Sequence, residues 1–283
     1  MSLNPLNFFV RHALFSALTI SHWKESVISA NWKYIYPGKS SAETSAFKKK
    51  LYENLSEDAA GFLNGNCAFK KLPSSIDEYP FKNRSSKFSI DKDSVGILEK
   101  MKKGGLMLTA HFGNYEAMGP WLCQLGIPLT ASYSKIKPAL LNTFLESTLR
   151  SANGYSYSRF IRNPKDILKL IDAHDLFCFL ADQDYRKSSA IHTEFLGKPA
   201  NCNPIPSFIL RHKPLTPVYI CWIDKKQDEH ILHAISIKIE KEADAIQKFN
   251  AWLEKKITED DSKWYGWSHR RFKSSVKTYN NIY

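Results

Sequence analysis

His111-Phe112-Gly113-Asn114-Tyr115-Glu116 puts an imidazole five residues ahead of a carboxylate, with a Gly-Asn pair between them. A histidine held by a carboxylate is a general base: the carboxylate fixes the tautomer and stabilises the imidazolium formed when the other nitrogen takes a proton. On a regular helix two side chains at this spacing stand about 140° apart, and on a strand they face opposite ways. Contact therefore requires a turn, which Gly113-Asn114 supplies. No enzymic nucleophile accompanies the pair, because GxSxG is absent and no cysteine lies beside His111. The base would then activate a hydroxyl or amine of a second substrate for direct attack on a thioester. The competing reading is a core histidine beside an acid that opens a helix.

The elements around this segment favour a site. Leu106-Met107-Leu108-Thr109-Ala110 reads as a buried strand delivering His111 to its carboxyl end, and Glu116 opens the helix after Asn114. Ligand and catalytic sites of open α/β sheets lie at that end of the strands. Further along, strands are expected at 129–133, 176–181 and 216–223, and helices at 95–102, 138–151, 164–173, 204–212 and 243–257. Short apolar strands separated by helices specify an α/β sheet covered on both faces. Residues 231–239 alternate and read as an edge strand. Upstream, Ser40-Ser41-Ala42-Glu43 has capping-box spacing before a helix to about Leu63, and the polar stretch from Lys70 to Asp93 reads as a surface connection. Residues 1–90 are thus expected to form a helical appendage and residues 91–283 the α/β core.

The 283 residues suffice for one large domain, and 43% hydrophobic with 24% charged residues excludes disorder as the main state. Forty Lys plus Arg against 28 Asp plus Glu leave a net charge of +12, which implies a polyanionic partner, either nucleic acid or an anionic membrane. Seven Trp lean towards a membrane interface. Five cysteines, Cys67, Cys123, Cys178, Cys202 and Cys221, are scattered without CxxC and read as buried thiols. The stretch Asn4 to Ile20 is apolar but interrupted by Arg11 and His12, so it reads as an amphipathic helix rather than a membrane span or signal peptide.

Thr109 to Glu116 resembles the His-x4-Asp/Glu motif of the lysophospholipid acyltransferase superfamily, and its flanks resemble the branch containing the late lauroyl and myristoyl transferases of lipid A. Asn31-Trp32-Lys33-Tyr34-Ile35-Tyr36-Pro37 is similar to that branch's entry block, with Tyr36 in place of Phe. Arg150 to Gly154, Ala181 to Tyr185, Phe195 to Ala200 and Trp267 to Lys273 resemble further blocks in the same order. The resemblance runs from about residue 23 to the carboxyl end. It implies a glycerol-3-phosphate acyltransferase-like fold with a mixed, mostly parallel sheet. It also implies transfer of an acyl chain from acyl carrier protein or CoA to a hydroxyl of an anionic lipid acceptor, without cofactor, metal or nucleic acid. The expected location is the cytoplasmic face of the bacterial inner membrane, with a peripheral chain or an amino-terminal anchor beyond it.

By this resemblance His111 is the base and Glu116 its partner, with oxyanion donors near Gly113 or Arg150. Gly113 and Asn114 are expected to bind substrate at the turn, and Arg150 to grip phosphate or polarise the acyl carbonyl. Lys135 stands where many relatives carry Arg, which weakens bidentate phosphate recognition there. Asp182 and Gln183, just after a buried strand, either line the substrate site or fix the loop. His230 and His233 fall on opposite faces of a strand and make a poor metal pair, and His192 reads as structural. Two rivals remain open: the same chemistry on an amino-lipid or pigment precursor, and a non-catalytic basic protein that binds lipid headgroups or nucleic acid through Arg270, Arg271 and Lys273.

Overall fold

The computed structural model describes residues 5–69, 71–83, 86–133, 139–144, 146, 150–152, 155–275 and 282–283. Three helices lead the chain: α1 (Pro5–Ile20), α2 (Glu25–Ile35) and α3 (Ser41–Phe69). There follow β1 (Phe81–Asn83), β2 (Ser86–Ile90), α4 (Val95–Met101), β3 (Gly105–Thr109), α5 (Tyr115–Gln124), β4 (Leu129–Ser132) and α6 (Ala139–Phe144). The chain continues through β5 (Ser151–Ala152), β6 (Tyr155–Ser156), β7 (Ser158–Arg159), α7 (Pro164–Asp172), β8 (Leu176–Leu180), β9 (Ile191–Phe195) and β10 (Lys198–Cys202). It ends with α8 (Ile205–His212), β11 (Val218–Lys226), β12 (Glu229–Ile237) and α9 (Asp244–Glu259).

Eight strands make one sheet in the order β1-β2-β12-β11-β3-β8-β4-β7. Pairing is parallel throughout except for the β1/β2 and β11/β12 hairpins. The fold is therefore the mixed, mostly parallel α/β architecture expected. Alternation along β3 divides the core. Leu106 and Leu108 face a layer containing Ile28 and Trp32 of α2, Leu51 of α3, Ile209 of α8 and Phe249 and Leu253 of α9. Met107, between them, faces Leu98 and Met101 of α4 and Met118, Trp121 and Leu122 of α5. With both faces covered, the central strands carry no polar alternation, which is why β3 reads as a continuous apolar run.

The capping box at α3 forms: the Ser40 amide donates to Glu43 Oε2 at 2.9 Å, and the Glu43 amide donates to Ser40 Oγ at 3.2 Å. Asn31 of α2 ties the leading helices to the carboxyl end, donating through Nδ2 to the carbonyls of Trp267 and His269, each at 2.7 Å. Trp32 stacks on Phe47 and meets Trp267 edge-on, so α2 and α3 contribute directly to the main core.

Three expectations are corrected. The stretch Lys70 to Asp93 holds strands β1 and β2, and β2 pairs in parallel with β12 while burying Phe88. The sheet thus begins inside the segment expected as a surface connection. Strand β12 lies between β2 and β11 rather than at an edge. The segment 191–202, for which the sequence set no expectation, is an antiparallel hairpin turned by Leu196 and Gly197, both at positive φ. Of the helix expected at 138–151, α6 covers Ala139–Phe144 and Ser151 is instead in β5, while positions 138, 145 and 147–149 lie outside the described residues.

Candidate active site

Strands β3 and β8 are adjacent and parallel, with Thr109 opposite Leu180, so the chain leaves both at the same level. His111 and Asp182 lie two residues beyond that matched pair, on neighbouring strand ends. The Asp182 carboxylate accepts from the His111 amide through Oδ2 at 3.0 Å and lies 2.8 Å from the ring Nδ1 through Oδ1. Trp264 Nε1 donates to Oδ2 at 2.9 Å. The Tyr265 amide donates to the His111 carbonyl at 2.7 Å, so the loop after α9 clamps the histidine backbone.

Asp182 is completely buried, which by itself would favour its neutral form. The His111 ring and the donors converging on the carboxylate outweigh that cost and hold it well below the usual carboxylate range. Burial likewise disfavours charge on His111, but the Asp182 charge and hydrogen bond overcome it, Glu116 adds to them, and the ring is more basic than an ordinary histidine. With Nδ1–H donating to Asp182, Nε2 carries the lone pair, 3.5 Å from Gln183 Nε2.

His111 opens onto a cavity of about 860 Å³ whose walls include Glu116, Arg150, Gln183 and His269. Glu116 lies one residue into α5, and its carboxylate is taken by Arg150, with Nη2 at 2.7 Å and Nε at 3.4 Å. The carboxylate hydrogen-bonded to His111 is therefore Asp182 rather than Glu116. The Gly113-Asn114 turn does redirect the chain, but it aims Glu116 at Arg150, while the histidine ring faces back to the end of β8. Glu116 acts on His111 through its charge across the cavity.

Gly113, at φ 56°, packs where a Cβ would come within 2.9 Å of the Ile223 carbonyl, and its amide donates to the Lys263 carbonyl at 2.9 Å. That amide is consumed by the fold and is not an open oxyanion donor. Asn114 is buried at the start of α5 and, like Gly113, shapes the turn without lining the cavity. Lys135 lies outside the described residues.

Sequence reasoning placed His269 only in the carboxyl-terminal basic cluster, whereas its ring centroid is 5.1 Å from that of His111, and it did not name Trp264, which holds Asp182. Burial and the neighbouring His111 charge push His269 below an ordinary histidine. Elsewhere His230 stacks on Phe88 and His233 on Trp222, on opposite faces of β12, and His192 bonds Asn201. Cys123, Cys178, Cys202 and Cys221 are buried as thiols; the side chain of Cys67 lies outside the described ones.

No helix among the described residues is long and apolar enough to cross a membrane. A search of curated proteins gave no match. The family model for bacterial lipid A biosynthesis acyltransferases matches residues 7–274, nearly the whole chain. With a basic histidine at the end of a parallel strand, opening onto a cavity beside an Arg-carboxylate pair, the chain is an acyltransferase and belongs to the bacterial lipid A biosynthesis acyltransferase family.

Proposed function

We propose that the protein moves a fatty acyl chain from an acyl carrier protein or CoA thioester to a hydroxyl of a lipid A precursor-like acceptor, with His111 as general base. The observation that carries this reading is the His111 Nδ1 contact with buried Asp182, which leaves Nε2 as a proton acceptor facing the cavity. Nε2 takes the hydroxyl proton as the oxygen attacks the thioester carbon. Arg150, held in the cavity wall by Glu116, faces the oxyanion that develops. Collapse breaks the carbon–sulfur bond, and the imidazolium returns its proton to the thiolate, giving an ester and a free thiol. Asp182 is a positioning residue in this scheme, and Glu116 both stabilises the imidazolium through space and orients Arg150.

The work is assigned to the cytoplasmic face of the inner membrane. Net charge of +12 suits an anionic surface, and Phe8, Phe9 and Ile20 of α1 stand exposed. The deciding experiment incubates purified protein with acyl carrier protein and CoA thioesters and with hydroxyl- and amine-bearing lipid acceptors, reading products by mass. Ester formation that disappears in His111→Ala supports the reading. Amide product would move the acceptor to the amino-lipid class, and unchanged ester formation in the variant would remove His111 from the chemistry.

A further inference from the structure

The fold holds His269 by its backbone and leaves its side chain unspent. The carbonyl accepts from Asn31 Nδ2 at 2.7 Å and from the Arg271 amide at 2.8 Å, and the amide donates to the Gly266 carbonyl at 2.9 Å. Those bonds pin the residue to α2 and to the buried turn Tyr265–Ser268. The ring, by contrast, makes no hydrogen bond or ion pair among the described residues. It lines the cavity, with its centroid 5.1 Å from that of His111 and the two planes at 45°. Other donors of the site are committed. The Gly113 amide is taken by the Lys263 carbonyl, and Arg150 gives Nη2 and Nε to Glu116. Water lost from the inner side of the His269 ring, the His111 charge and Lys24 together outweigh the pull of Asp182 and hold the ring below an ordinary histidine. At neutral pH it is therefore uncharged and presents one N–H and one lone pair.

In acyl transfer the attacking oxygen lies about 2.6–3.2 Å from the base, and the oxyanion forms on the carbon it attacks, with its donor about 2.7–3.1 Å further on. A donor that neighbours the base in the same cavity wall meets that requirement. Resting on the acyl-transfer reading above, we infer that the His269 ring N–H is an oxyanion donor for the tetrahedral adduct, beside Arg150. The acceptor hydroxyl gives its proton to His111 Nε2 while its oxygen bonds the thioester carbon. The carbonyl electron pair moves onto the carbonyl oxygen, which accepts from the His269 N–H. When the carbonyl re-forms, the carbon–sulfur bond breaks and the thiolate takes the proton from His111. His269 keeps its own proton throughout. Being uncharged, it does not repel the imidazolium that His111 becomes.

The test compares the wild-type chain with His269→Phe, which keeps a flat ring without a donor, and His269→Gln, which keeps an uncharged N–H. The ring is exposed at the cavity rim, so both variants should fold. His269→Phe is expected to lower kcat by about 10²- to 10³-fold, the cost of one lost oxyanion donor, with little change in KM. His269→Gln should recover part of that loss. The acid limb of the pH profile should remain in both, because the base is untouched. Isotope-edited infrared spectra of a carbonyl-labelled fatty acyl thioester, on CoA and on acyl carrier protein, read the contact without turnover. A carbonyl oxygen that accepts a hydrogen bond stretches at lower frequency, so the band should move up in His269→Phe and less in His269→Gln.

Wild-type kcat in His269→Phe overturns the inference and leaves the parent reading standing. Equal losses in the two variants with an unmoved carbonyl band also overturn it, since the ring then only packs against His111. Loss of the acid limb in His269→Phe overturns it as well, by making the ring a proton carrier. Wild-type protein that neither transfers nor hydrolyses thioester in a His111-dependent way overturns the parent reading instead, and the infrared band still tests the contact.

Discussion

His111 and Asp182 are joined twice, through the ring Nδ1 and through the backbone amide, although 71 residues separate them in the chain. One bond fixes the tautomer and the other fixes the histidine's backbone, so the carboxylate defines both the direction and the basicity of the ring. Asp182→Asn keeps the shape and removes the charge. Turnover should fall by about 10²- to 10⁴-fold, the range seen for lost general-base support.

The pH profile gives a second reading of the same variant. His111 is more basic than an ordinary histidine because of Asp182, and only its neutral form accepts a proton. Wild-type activity should therefore fall as pH drops through a midpoint higher than that of an ordinary histidine. In Asp182→Asn the acid limb should move to lower pH, and an unmoved limb would assign it to another group.

Glu116 and Arg150 should behave as one unit. Glu116→Gln leaves a half-buried guanidinium without its charge partner, and Arg150→Ala leaves the carboxylate alone in the cavity. Each single change should lower kcat at least tenfold, and the double variant should cost clearly less than the product of the two, since the second change removes a group already misplaced. Multiplicative losses would mean that the two side chains act independently.

How much of this was legible in the sequence depends on the range of the interaction. The β3 strand, the turn at Gly113 and the helix opening at Tyr115 are local, and their residues report them directly. The His111 partner is not local: it depends on which strand lies beside β3, and in the chain β4 to β7 and α5 to α7 come between β3 and β8. The rule that picked out His111, a polar residue at the carboxyl end of an apolar strand, applies equally to Asp182 after Leu176–Ala181. Strand β2 was hidden for another reason. Its Lys87, Ser89 and flanking serines read as surface, and only Phe88 and Ile90 signal burial, because β1 and β12 supply the rest of its environment.

Gly119 sets a limit on the cavity. A Cβ there would lie 2.5 Å from Tyr157 Cζ, and Tyr157 lines the cavity together with Met107, Met118 and Leu129. In Gly119→Ala the ring must give way, shortening the apolar end. If the acyl chain occupies that end, the preferred thioester should become shorter, with about 0.8 kcal/mol of binding lost for each methylene excluded. Rates across a chain-length series check this, and an unshifted preference in folded variant would place the acyl chain elsewhere.

Vesicle binding tests the exposed rings of α1. Phe8 and Phe9 are 44% and 68% exposed, so replacing both with Ser leaves little packing to lose. Sedimentation with anionic vesicles should weaken at least severalfold while the melting temperature stays within about 2 °C, and added salt should weaken the wild type towards the variant. Equal binding to neutral and anionic vesicles at low salt would count against an electrostatic contribution.

Acid stability turns on His230. The ring is buried against Phe88, with centroids 5.3 Å apart, and Nδ1 has no hydrogen-bond partner. Burial, reinforced by the Lys225 charge and opposed by Glu57, pushes its pKa down to about 4. Between that value and the ordinary histidine range the unfolded chain binds a proton that the folded chain refuses. Stability must therefore fall as pH drops through this window, by up to about 3 kcal/mol from this residue. His230→Phe keeps a flat ring on Phe88 and removes the proton. Urea unfolding at pH 7 and at pH 4.5 should show the variant gaining on the wild type by roughly 2 kcal/mol on acidification. Parallel losses in the two proteins would show that acid acts elsewhere in the fold.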